Sequence, residues 1–145
     1  MEHEYKAKLL ATVGANRTAE LDDPLAILHA AFNAVINGDY EAFGERVTDD
    51  VELSIRGFAP IDGTWRGRAE VIAATRKNFA ELENQQPVVE SMISQGDSVV
   101  VLIRESGFLK STGKPYSVRG MEWFTFAGGK IKRIDEVLAG GSFDR

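Results

Sequence analysis

The feature that most constrains the fold is a series of strand-like segments in the second half of the chain. Four segments rich in β-branched and aromatic residues lie between residues 87 and 138, and the short sequences QGD, STGKP and AGG separate them. Turns this short join neighbouring strands that run antiparallel. The second half of the chain therefore predicts an antiparallel sheet of long strands.

The first half of the chain carries helical patterns. Asp23 can cap a helix that starts at Pro24, and apolar residues then recur at helical spacing up to an Asn-Gly stop at residue 37. The other predicted elements are a short helix capped by Asp39, a strand over 51–55, a loop over 56–67 and a helix over 68–85. Helices followed by a run of strands are typical of an α+β domain.

Length and composition indicate one globular domain. The chain has 145 residues, of which 43% are hydrophobic and 27% are charged, and a chain of this size can bury a substantial core. We expect residues 1–20 to form an N-terminal arm or short helix. Residues 21–145 are expected to form a single domain.

Composition also disfavours several classes of function. The chain has no cysteine, so it has neither disulfides nor thiolate chemistry, and its net charge of -5 disfavours binding to nucleic acid. No apolar run is long enough to span a membrane, and no secretory signal is visible, so we expect a cytoplasmic protein. His3 and His29 have no second ligand at metal-site spacing, and no phosphate-binding loop is present. We therefore expect neither a metal nor a cofactor.

Alternation along the predicted strands places glutamates on one face and arginines on the other. Side chains two positions apart share a face of a strand, so Glu105, Glu122 and Glu136 should point the same way. Their face is predicted to contain Val99, Val101, Ile103, Gly107, Leu109, Val118, Gly120, Phe124, Phe126, Lys132, Ile134 and Leu138. The other face should carry Arg104, Arg119, Trp123 and Arg133. Both faces are too apolar to lie open in water, and three helices can cover only one.

Three stretches carry a resemblance to a known superfamily. NGDYEAFGERVTDDVEL, GTWRGRAEVI and GMEWFTFAGGKIKRI occur in the order and spacing of the nuclear transport factor 2-like superfamily, close to its SnoaL-like polyketide cyclase and ketosteroid isomerase-like branches. The resemblance covers about residues 24–139. It implies a cystatin-like cone: a curved antiparallel or mixed sheet wrapped around three helices, with a pocket inside. It also implies a homodimer through the convex face and an inward-facing Glu122.

Catalytic positions of the superfamily carry over only in part. By strand alignment, the protonated acid of ketosteroid isomerases falls on Glu122, but their base falls on Ile55 and their tyrosine near Phe32. The second aspartate of limonene epoxide hydrolase aligns with Glu136. The late-strand acid of SnoaL-type cyclases corresponds to Glu136 or Asp135.

These patterns lead to two hypotheses on function. In the first, a cofactor-independent isomerase, cyclase or hydrolase acts on a small apolar molecule and uses Glu122, Glu136 and Glu105 for proton transfer. In the second, the same fold is a non-catalytic ligand-binding or dimerisation domain, and Glu122 pairs with a neighbouring side chain. In both, the predicted pocket wall consists of Phe32, Phe58, Trp65, Phe79, Ile103, Val118 and Phe124.

Overall fold

A computed structural model describes residues 23–141 as three helices and six strands. The predicted N-terminal arm, residues 1–20, lies outside the described residues. The helices are α1 (Pro24–Ile36), α2 (Tyr40–Glu45) and α3 (Arg68–Glu81). The strands are β1 (Val47–Arg56), β2 (Gly63–Arg66), β3 (Leu82–Gln95), β4 (Ser98–Leu109), β5 (Pro115–Ala127) and β6 (Lys130–Gly141).

The first two helices begin where the sequence predicts. The Asp23 carboxylate accepts a hydrogen bond from the backbone N–H of Leu25 at 3.4 Å, and Pro24 opens α1. Asp39 caps α2 in the same way by accepting from the N–H of Ala42 at 3.0 Å. Each cap satisfies a backbone donor that has no partner inside the helix.

The six strands form one curved, unclosed sheet in the order β2-β1-β6-β5-β4-β3. Neighbouring strands are antiparallel, except that β1 and β6 run parallel. The helices pack against the concave face, and between them lie fully buried side chains such as Leu28, Val71, Val101 and Ile131. The predicted α+β architecture, a curved sheet wrapped around three helices, is confirmed.

Several element boundaries differ from the prediction. The segment predicted as a loop contains β2, which pairs with β1 so that Trp65 lies opposite Leu53. The third helix stops at Glu81, and β3 begins at Leu82 and pairs with Leu109 of β4. In each case a partner distant in sequence decides the conformation, because strand pairing supplies hydrogen bonds that local propensity does not reveal.

One face assignment in β6 is wrong. The register between β5 and β6 shifts at Thr125 and Phe126, and beyond this bulge Ile131 is fully buried while Lys132 is exposed. A bulge adds one residue to one strand, so it reverses the alternation on one side of it. The prediction that Lys132 shares the face of Glu136 is therefore corrected, whereas Ile134, Glu136 and Leu138 keep the predicted face.

Among residues 23–141, no helix is long and apolar enough to cross a membrane.

Candidate functional site

A cavity of about 150 Å³ lies between the helices and the concave face of the sheet. Its wall is mostly apolar and includes five phenylalanines. Two of them, Phe32 of α1 and Phe124 of β5, meet edge to face with ring centroids 5.6 Å apart. A cavity that is largely apolar and holds a few polar groups is the usual form of a small-molecule site.

The structure brings most of the predicted wall residues together. Phe32, Phe58, Phe79, Ile103, Val118 and Phe124 all line the cavity. Trp65 does not, and its predicted place in the wall is corrected: it lies on β2, at the edge of the sheet, where it packs against the margin of the core and stays partly exposed.

Three glutamates from adjacent strands enter the cavity. Glu122 of β5 lies directly opposite Glu136 of β6, and Glu105 comes from β4 on the other side of β5. All three line the cavity and stay partly accessible, as expected for side chains that border a space rather than fill it. The predicted convergence of the three acids is thus found in the structure, while their catalytic role stays a prediction.

One of the two carboxylate oxygens of Glu105 accepts hydrogen bonds from neighbouring side chains. The hydroxyl of Tyr116 donates to Glu105 Oε2 at 2.6 Å, and Gln85 Nε2 donates more weakly to the same oxygen at 3.5 Å. The short bond from Tyr116 is the stronger one, because a hydroxyl bound to a charged acceptor forms a charge-assisted hydrogen bond.

The surroundings give the three carboxyl groups different affinities for a proton. Burial raises the pKa of Glu122 well above its usual range, and the nearby charges of Glu136 and Glu105 raise it further. Burial also raises the pKa of Glu136, to about 7, with a further contribution from Glu105. The pKa of Glu105 is raised by burial as well, but the hydrogen bonds from Tyr116 and Gln85 oppose that rise. Burial thus favours the protonated form of all three carboxyl groups, and within residues 23–141 only Glu105 has hydrogen bonds that favour its charged form.

None of the described residues that line the cavity is cationic. Within residues 23–141 the lining includes no lysine, arginine or histidine, and Glu122 and Glu136 make no side-chain hydrogen bond or ion pair. The ion pair weighed as the alternative for Glu122 is therefore not seen in this part of the chain.

Three residues of the site were missed or misplaced by the sequence reasoning. Tyr116 shares the alternation of Val118 and Glu122 along β5, so its position was available as a signal. Gln85 was assigned to a helix, although it lies on β3. Asn78 of α3 was given no role and lines the cavity, where it adds a neutral polar group.

We expect removal of the Tyr116 hydroxyl to raise the pKa of Glu105. Tyr116→Phe keeps the ring, which packs 5.4 Å from that of Phe58, but deletes the donor that favours the charged carboxylate. Loss of a hydrogen bond to a charged group should also lower the free energy of unfolding by about 1.5–3 kcal/mol. Carbon-13 NMR titration of the glutamate carboxyls and urea denaturation measure the two effects.

Tyr40→Phe is the matched control, because Tyr40 lies on α2, outside the cavity lining. If the pKa of Glu105 is the same in Tyr116→Phe as in wild type, the Tyr116 hydroxyl does not stabilise the charged form of Glu105.

The described residues contain no group of three or more histidine, aspartate or glutamate side chains arranged to hold a metal ion.

Comparison with known proteins agrees with this architecture. A cone of curved sheet around three helices, enclosing a pocket, defines a nuclear transport factor 2-like protein. Residues 28–134 match the family of SnoaL-like domains, and the chain belongs to this family. No match was found among curated proteins.

Solved structures share the fold over most of their length. A nuclear transport factor 2-like protein from Burkholderia xenovorans is 25% identical, with a TM-score of 0.70 over 79% of this chain and 88% of its own. A putative isomerase from Rhodopseudomonas palustris is 23% identical, with a TM-score of 0.68 over 83% and 91%. A hypothetical protein with a ketosteroid isomerase-like fold from Catenulispora acidiphila is 20% identical, with a TM-score of 0.61 over 75% and 82%.

Proposed function

We propose that the protein is a cofactor-independent enzyme that moves a proton on a small carbonyl compound, as an isomerase or cyclase does. The observation that carries this proposal is the Glu122–Glu136 pair. The two residues lie directly opposite each other in the cavity and have no hydrogen-bonding partner within residues 23–141. Burial raises the pKa of both, and the charges of Glu136 and Glu105 raise that of Glu122 further. Two facing carboxyl groups that cannot easily both ionise can share one proton and so act as an acid and a base.

The two glutamates would have complementary roles. Glu136, whose pKa is about 7, is the base: its carboxylate removes a proton from the carbon next to the carbonyl group. Glu122, whose protonated form is favoured by burial and by its acidic neighbours, donates a hydrogen bond to the carbonyl oxygen and stabilises the enolate that forms. Protonated Glu136 then returns the proton to a different carbon, which gives an isomer. Alternatively, the enolate carbon attacks a second carbonyl carbon and closes a ring; the π bond of that carbonyl opens to an alkoxide, which takes the proton from Glu136.

A structural neighbour supports the small-molecule part of the proposal. The Catenulispora acidiphila protein was crystallised in complex with trimethylamine, so this fold can hold a small organic molecule. The largely apolar wall of the cavity would bind such a ligand without any reaction, and non-catalytic ligand binding is therefore the second candidate.

Proton exchange on a simple ketone tests the proposal. We expect the wild-type protein to accelerate exchange of the α-hydrogens of cyclohexanone for deuterium in D₂O, as followed by proton NMR. Glu136→Gln keeps the size of the side chain but removes the base, so it should slow exchange by about a hundredfold or more, as loss of a general base does. Glu122→Gln should slow it as well, because an amide is a weaker donor to an enolate than a carboxylic acid.

Glu45→Gln is the control, since it removes the same charge from an exposed site on α2. Cyclohexanone that binds but exchanges equally fast in wild type and Glu136→Gln would favour the non-catalytic candidate.

We also propose that the convex face of the sheet forms a homodimer. Trp123 is 43% exposed, Ile93 54% and Val137 45%. The register aligns Ile93, Val100 and Trp123 in one row across β3, β4 and β5. A contiguous apolar patch of this kind, with arginines at its margin, is typical of a protein interface.

The predicted arginines lie on this face. Arg104, Arg119 and Arg133 are all exposed. Arg119 makes two hydrogen bonds of 3.0 Å to Glu90, and Arg133 makes one of 2.8 Å to Asp135. Arg119 and Arg133 already bind acidic residues of their own chain, so they would lie around the apolar patch rather than form ion pairs with the second copy.

The cytoplasmic location expected from the sequence stays a prediction.

Trp123→Glu is expected to dissociate the proposed dimer. It places a charge in the middle of the patch, where burial against a second copy would leave the charge unpaired, so the dissociation constant should rise by about thirtyfold or more. Sedimentation velocity over a range of protein concentrations measures the change. Ala73→Glu, at an exposed position of α3, should leave the dimer intact. A wild-type protein that stays monomeric at high concentration would contradict the proposal.

A further inference from the structure

We infer that the natural ligand of the cavity carries a positive charge, as a small carbonyl compound bearing a protonated amine, and that Glu105 holds the ammonium group. This inference rests on the proposed function, because it names the substrate class of the same site. Its basis is the charge balance of the cavity, the hydrogen bonds of Glu105 and the aromatic rings beside it.

The first step is the charge balance of the cavity wall. Three glutamates line the cavity, together with neutral polar groups from Thr75 and Asn78 of α3, and no lysine, arginine or histidine among residues 23–141 belongs to the lining. A carboxylate held away from bulk water without a counter-charge is costly. A cationic ligand would supply the missing charge, whereas an anionic one would add to the repulsion.

The second step is the hydrogen bonding of Glu105. Tyr116 and Gln85 both donate to Oε2, and no residue within 23–141 donates to Oε1. The short bond from Tyr116 favours the charged carboxylate, so Oε1 is a strong acceptor beside the cavity without a donor in this part of the chain. An ammonium group has three N–H donors and no acceptor, which makes it a fitting partner.

The third step is the aromatic surroundings of Glu105. Tyr116, which binds Glu105, packs against Phe58 with ring centroids 5.4 Å apart, and both rings line the cavity. The face of an aromatic ring attracts a cation, most strongly where water is excluded. Aromatic rings next to a charged carboxylate form the kind of surface that binds organic ammonium ions.

The size of the cavity sets the size of the ligand. The volume of about 150 Å³ equals that of an engineered cavity in another protein that binds benzene. The ligand is thus about one ring in size. Because Tyr116 and Gln85 donate to Glu105 and favour its charged form, Glu105 can anchor the amine and leave Glu122 and Glu136 for the carbonyl group and its α-proton.

Three probes of similar size and different charge test the inference: benzylamine, benzyl alcohol and benzoate. At neutral pH they are a cation, a neutral molecule and an anion, each with a single ring. By isothermal titration calorimetry we expect benzylamine to bind about tenfold or more tightly than benzyl alcohol, and benzoate to show no measurable binding. Glu105→Gln should abolish the advantage of benzylamine, whereas Glu45→Gln should preserve it.

The comparison of benzylamine with benzyl alcohol on the wild-type protein tests the inference even if Glu105→Gln folds poorly. Equal or tighter binding of benzyl alcohol would overturn the inference, and so would a benzylamine advantage that survives in folded Glu105→Gln. If the cation preference is absent while cyclohexanone exchange still depends on Glu136, the inference fails and the proposed function stands. If the preference is present but no exchange occurs, Glu105 binds the cation as inferred and the proton-transfer function fails.

Discussion

Glu136→Gln should make the protein more stable than wild type at about pH 8, by about 3 kcal/mol, and change its stability little at about pH 5. The pKa of Glu136 rises from an ordinary 4.5 to about 7 in the folded protein. The folded state therefore holds this proton more tightly than the unfolded state does. The stabilisation that results is complete below about pH 4.5 and is lost as the pH rises through about 7.

The size of the effect follows from the pKa interval, because each pH unit corresponds to about 1.4 kcal/mol. Glutamine resembles the protonated acid in shape but cannot ionise, so the variant avoids the cost of a buried charge at high pH. Urea denaturation at several pH values between about 5 and 8 gives the free energy of unfolding for each protein. Glu45→Gln serves as control and should differ from wild type by less than about 0.5 kcal/mol throughout. A Glu136→Gln protein that is less stable than wild type at pH 8 would show that the folded state stabilises the ionised carboxylate.

Gly120→Ala should destabilise the fold by about 3 kcal/mol or more. Gly120 lies in the middle of β5, between Ile103 of β4 and Leu138 of β6. A Cβ atom at this position would lie 2.0 Å from the backbone oxygen of Val137 and 2.9 Å from the Cα atom of Leu138. Because these are backbone atoms, the two strands would have to move apart, and such overpacking costs about 1–3 kcal/mol even where side chains can adjust.

The control for this variant is Ser117→Ala, at an exposed position of the same strand. It should change the free energy of unfolding by less than about 0.5 kcal/mol. Thermal and urea denaturation of the two variants provide the comparison. If Gly120→Ala unfolds at the same urea concentration as Ser117→Ala, β5 and β6 can move apart at little cost.

Gly57 should tolerate alanine no better than Gly120 does. Its φ is +98°, and a Cβ atom there would lie 1.7 Å from the backbone oxygen of Leu138.

Strand alternation predicted the centre of the candidate site. It placed Glu105, Glu122 and Glu136 on one face, and all three line the cavity. The prediction worked because side chains alternate strictly along a regular strand, and β4 and β5 pair without interruption. The same rule failed at Lys132, where the bulge near Phe126 shifts the register, since nothing local in the sequence marks that shift.

Other features depend on contacts that a single segment does not specify. Trp65 was placed in the pocket wall because it is aromatic and lies in a glycine-rich segment, but the pairing of β2 with β1 moves it to the edge of the sheet. Gln85 follows a helical pattern, yet pairing with β4 makes its segment a strand. The hydrogen bond from Tyr116 to Glu105 joins two strands. Such a bond is visible only once the register is known.

The parallel pairing of β1 with β6 has a consequence for how the protein folds during synthesis. Val47, near the start of the sheet in sequence, pairs with Ile131, near its end, and β6 occupies the middle of the sheet. A nascent chain still lacking β6 would have β1 and β5 each missing a neighbour. The two parts of the sheet can therefore join only after β6 has left the ribosome, and until then the unpaired edges of β1 and β5 could pair with strands of other chains.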